Sequence, residues 1–66
     1  MIVMKAIIKW KDNNNKKHQK TLGVIKNEPN HIVNLARDNG YLGKTDYITT
    51  IKCGRTEYQW MGRPNY

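Results

Sequence analysis

The chain has 66 residues, of which 12 are Lys or Arg and 5 are Asp or Glu, giving a formal charge of +7 with 38% hydrophobic residues and one cysteine. A chain of this length forms one small domain that buries roughly 60% of its unfolded surface, which excludes a two-domain enzyme with an interdomain cleft. A lone cysteine excludes an intramolecular disulfide scaffold, and no apolar run approaches the ~20 residues of a membrane span. Lys5 also interrupts the place where the apolar segment of a signal peptide would begin, so a soluble cytoplasmic protein without a membrane partner is expected.

Residues 1–11 alternate with period two, Ile2, Met4, Ala6, Ile8 and Trp10 on one face and Val3, Lys5, Ile7, Lys9 and Lys11 on the other. This predicts a half-buried strand whose second face carries three ammonium groups about 7 Å apart. Residues 12–15 form a turn, because Asp and Asn tolerate left-handed backbone and hydrogen-bond locally. Residues 16–26 read as a second strand with Leu22, Val24 and Ile25 as apolar content, and Gly23 inside it signals a bulge or a close backbone approach. The two strands make a hairpin in which Lys16, Lys17 and Lys20 lie near Lys5, Lys9 and Lys11.

Asn27-Glu28-Pro29 reads as a helix start: Asn27 caps free amides, Glu28 suits the positive end of the dipole, and Pro29 is tolerated in the first turn. Ile32, Leu35 and Ala36 then form a stripe that packs on a sheet. Asn39-Gly40 ends the helix, since both residues accept the left-handed conformation. Residues 45–52, rich in Thr, Ile and Tyr, predict a third strand. Cys53-Gly54 forms a two-residue turn, and residues 55–61 a fourth strand. In that register Ile51 faces Thr56, Thr49 faces Tyr58, and Tyr47 faces Trp60, with Ile48 on the side of Thr50, Lys52, Glu57 and Gln59.

The expected fold is therefore α+β, a single β-β-α-β-β domain over residues 1–61 with an antiparallel-rich sheet, one helix on one face, and a tail at 62–66. The crossover from the second strand to the third leaves room for the first between them.

The residues offer little for catalysis. Cys53 sits in a predicted turn without an oriented base, and His18 and His31 fall on different elements. One Cys and two dispersed His do not make a zinc set, and the acids are scattered. The run Gly40-Tyr41-Leu42-Gly43-Lys44-Thr45 lacks phosphate-loop spacing and follows a helix instead of preceding one. No catalytic residue, metal or cofactor is assigned. Trp10, Tyr47, Tyr58 and Trp60 serve either as core or as a base-stacking platform, with core favoured because they share faces with Ile and Thr. Tyr66, near Arg63, either joins a contact surface or is disordered.

The charge is one-sided. Seven lysines stand against Asp12 in residues 1–26, whereas residues 27–66 hold five basic and four acidic groups. Such a patch points to a polyanionic partner. Nine lysines to three arginines favour backbone positioning over a strict sequence code. The opening Met4-Lys5-Ala6-Ile7-Ile8-Lys9, followed by a polar loop, short strand, helix and a terminal hairpin holding Tyr and Trp, resembles small phage-encoded inhibitors, closest in layout to type I-F anti-CRISPR proteins. The first hairpin and helix are also similar to a phage antitoxin directed at a ribonuclease toxin. The resemblance implies a non-catalytic inhibitor acting in the host cytoplasm by steric occlusion of a host protein, a nucleoprotein or a nucleic-acid-binding groove. Lys5, Lys9, Lys11, Lys16, Lys17 and Lys20 would supply the electrostatics, with Arg55 and Arg63 as local anchors. Alternatives are a direct, low-specificity DNA or RNA binder and a small ribonuclease toxin or its antitoxin. A monomer or a dimer through the last strand's free edge is expected.

Overall fold

A computed structural model describes residues 3–64. The expected positions of Met1 and Ile2 in the first strand, and that of Tyr66, lie outside the described residues. Four antiparallel strands and one helix follow one another as β1 (Met4–Lys11), β2 (Lys17–Val24), α1 (Pro29–Asp38), β3 (Tyr47–Cys53) and β4 (Thr56–Gly62). The sheet order is β2-β1-β3-β4, so β1 does lie between β2 and β3.

Period-two burial drives the sheet. Ala6, Ile8 and Trp10 of β1 turn inward, as do Leu22 and Val24 of β2 and Ile48, Ile51 and Cys53 of β3. Each large aliphatic side chain buried there contributes about 1.5–3 kcal/mol. The helix covers β1 and β2 with Ile32, Val33 and Ala36, and Leu42 fills in behind it. Leu35, expected in the stripe, is only half-buried, and Val33 takes its place at the centre.

The helix begins differently from the expectation. Glu28 is the N-cap, with no side-chain capping bond, while Asn27 is drawn away to β4. Tyr58 donates its hydroxyl to Asn27 Oδ1 at 2.9 Å, and Asn27 Nδ2 donates to Thr56 Oγ1 at 3.3 Å. A bond across the fold thus replaces the local cap. At the other end, Gly40 takes φ +80, its amide donates to Arg37 O, and the Tyr41 amide donates to Ala36 O. That pair of bonds is the Schellman closure that Asn39-Gly40 anticipates.

The last turn is displaced by one residue. Cys53 pairs with Thr56, leaving Gly54-Arg55 as the loop and Cys53 buried at the end of β3. Gly54 has φ +61, and a two-residue hairpin loop with its positive φ at the first position needs glycine there. The pairing consequently slips by two residues, and Ile51, not Thr49, faces Tyr58. A second departure lies at Thr49. Lys9 pairs with Thr50 but Trp10 pairs with Ile48, so Thr49 is an extra residue on β3. The alternation breaks there: Ile48 turns into the core while Tyr47 remains exposed. No such bulge occurs at Gly23, where the β1–β2 register is continuous. That glycine instead admits a close neighbour, Val3 Cγ1, 3.0 Å from where a Cβ would stand.

Candidate functional site

The helix covers one side of the sheet and leaves the other open. Register defines that open side row by row, because directly paired residues share a face. Nearest the first hairpin's tip stand Lys17, Lys11 and Tyr47; next come Gln19, Lys9, Thr50 and Gln59; then Thr21, Ile7, Lys52 and Glu57; and last Gly23 and Lys5. Five lysines therefore face the same way against Glu57, the one acid on this face among the described residues.

Two hollows indent the face and share Lys9. The larger, about 460 Å³, is bounded by Lys9, Lys11, Lys17, Gln19 and Thr49. The smaller, about 180 Å³, is bounded by Ile7, Lys9, Thr50, Lys52 and Glu57. Trp10 and His18 also border the larger hollow. These two are cross-strand partners that lie between the outward residues of their strands, so their side chains belong to the helix side. Thr49 closes one wall, donating its hydroxyl to Lys9 O at 3.2 Å. Lys11 and Lys17 are direct cross-strand partners, an arrangement of like charges that destabilises a sheet and that a bound anion relieves.

The other expected contact residues are dispersed. Lys20 pairs with Ile8 and so belongs to the helix side, where its Nζ lies 4.9 Å from the centre of the Tyr41 ring. The hairpin therefore does not gather all six lysines into one patch: parity separates Lys20 from Lys17 as surely as it separates Ile8 from Lys9. Lys16 sits in the tip, Arg55 in the β3–β4 turn at the opposite end of the sheet, and Arg63 beyond β4, where its carbonyl accepts from Trp60 Nε1 at 3.1 Å. Lys52 was not among the expected contact residues. Its signal was present in the alternation Thr50, Lys52 opposite Glu57, Gln59, and became meaningful only with β3 placed beside β1.

The tip is locked by Asp12. Its Oδ1 accepts from the amides of Asn14 and Lys16 at 2.9 and 3.0 Å, and its Oδ2 accepts from His18 Nε2 at 2.8 Å. The His18 bond chiefly, and the Lys16 and Asn14 amides with it, hold the Asp12 carboxyl below the usual carboxylate range. The His18 ring in turn stacks on Trp10, with centroids 5.7 Å apart. Asn15 takes φ 64, the left-handed residue that closes a three-residue loop.

The remaining reactive groups are set apart. Cys53 is fully buried, and His31 Nε2 is buried without a hydrogen-bond partner. Trp10 is core, Tyr58 and Trp60 pack against it, and Tyr47 alone of those four aromatics stands on the lysine face. Among the described residues no three His, Cys, Asp or Glu side chains gather as a metal site, and no helix is long and apolar enough to cross a membrane. No family model, curated protein or solved structure matches the chain.

Proposed function

We propose that this protein is a non-catalytic binding module whose open sheet face sits on the phosphate backbone of a nucleic acid, either free or displayed by a nucleoprotein. The observation that carries this reading is the convergence of Lys5, Lys9, Lys11, Lys17 and Lys52 on one uncovered face, where all but Lys5 line two adjoining hollows. Lysine meets phosphate as a mobile point charge, which gives backbone affinity with little sequence preference. The inhibitor role suggested by the layout is compatible with this face where it contacts the nucleic acid of a host complex. A protein groove built to hold nucleic acid is itself basic and repels it.

The test is salt-titrated binding to duplex and single-stranded oligonucleotides. With Lys52 offset by Glu57, about four phosphates are neutralised, so log K should fall against log[salt] with a slope near −3 on single strands and near −4 on duplex. Absence of binding below ~100 μM at low salt refutes direct recognition. Capture from a host lysate with and without nuclease treatment then tests whether nucleic acid bridges a host complex. A dimer formed through the outer edge of β2 or β4 would leave the lysine face uncovered, so the same slopes are expected for either state.

A further inference from the structure

We infer that Tyr47 and the Lys11–Lys17 pair form a subsite for single-stranded nucleic acid, the lysines taking phosphates and the tyrosine ring stacking on one unpaired base. The inference rests on the backbone-binding reading above and adds a substrate class to it. Tyr47, Lys11 and Lys17 are consecutive partners across three strands, so they form one transverse row, of which Lys11 and Lys17 line the larger hollow. Tyr47 is 39% exposed, although it belongs to a strand whose other large apolar residues, Ile48 and Ile51, are fully buried. The extra residue at Thr49 is what sends Tyr47 outward while Ile48 turns in.

An aromatic ring at the end of a row of ammonium groups matches a single strand, which offers a phosphate and a free base face together. A duplex keeps its base faces stacked inside, so Tyr47 would meet only sugar and phosphate and gain nothing from its ring. The chain also contains its own control. Tyr41 is 37% exposed, nearly the same as Tyr47, and also lies beside a lysine, but on the helix side over Lys20.

The experiment measures binding of the full chain to a labelled oligothymidylate of about a dozen nucleotides and to a duplex of equal length, at low salt. Tyr47→Ala should weaken single-strand binding by about fivefold to tenfold, from the lower part of the range for one stacked base, and leave duplex binding unchanged. Tyr47→Phe should restore it, and Tyr41→Ala should alter neither. Single-strand binding that survives Tyr47→Ala, or an equal loss on both probes, overturns the stacking subsite. If Lys11→Gln and Lys17→Gln still weaken both probes in that event, the backbone reading stands without the subsite. If the unaltered chain binds neither probe, both fall.

Discussion

Replacing Lys11 with glutamine should make the protein more stable and a weaker binder at once. In the sheet Lys11 stands directly opposite Lys17 and two residues from Lys9 on the same face. Like charges placed directly across a strand pair destabilise by roughly 0.2–1 kcal/mol, and Lys11→Gln removes that repulsion while keeping the inner half of the aliphatic stem. For a domain of this size the gain corresponds to ~1–8 °C in melting temperature. It should shrink in ~1 M salt, where the screening length falls to about 3 Å. The same change removes one phosphate contact, so the salt slope for single-strand binding should flatten by about 0.7. Lys20→Gln provides the opposite pattern: binding is unchanged because Lys20 is on the helix side, and stability falls slightly through the lost contact with Tyr41. Thermal melts by circular dichroism at low and high salt, paired with anisotropy titrations, measure both quantities. A lower melting temperature for Lys11→Gln at low salt, or equal loss of binding in the two variants, refutes the assignment of the face.

Three further outcomes follow from the geometry. Because the folded Asp12 carboxyl is held below its ordinary value of 3.8, the stability it contributes is complete above that pH. It is lost as pH falls through the lower folded value, and Asp12→Asn should flatten the acid limb of a melting profile recorded from about pH 5 downward. Ile51→Ala empties a fully buried position between Ile8 and Tyr58 and should cost about 2–5 kcal/mol, read as a large fall in urea midpoint or outright unfolding. Gly54→Ala meets no atom within 4 Å, yet its φ of +61 should cost about 1–2 kcal/mol in the same assay, with Gly54→Asn recovering part of the loss.

Much of the fold is legible in the chain because burial in a small sheet leaves a strong period. Ala6, Ile8 and Trp10 at alternate positions could face only one way, and Asn39-Gly40 could close a helix by local bonds alone. What escaped was set by geometry between elements. Asn27 has the chemistry of a helix cap, but the hydroxyls of Tyr58 and Thr56 compete for it across the fold. Cys53-Gly54 and Gly54-Arg55 are equally short loops, and only the demand for a left-handed first residue separates them. The candidate face was half-legible for a related reason. Lys5, Lys9 and Lys11 share a side by their spacing, whereas whether Lys17 or Lys20 joins them depends on the register of the hairpin. The exposure of Tyr47 depends on Thr49 standing outside the ladder, which no local pattern announces.

That unpaired residue is what reconciles the tyrosine with the lysine rows. Were Thr49 drawn into the ladder opposite Trp10, Ile48 would turn outward and the tyrosine ring inward, with every lysine of β1 and β2 left in place. Were it excised instead, Ile48 would stay opposite Trp10 and Tyr47 opposite Lys11, so the aromatic end of the surface tolerates a shorter strand but not a straightened one.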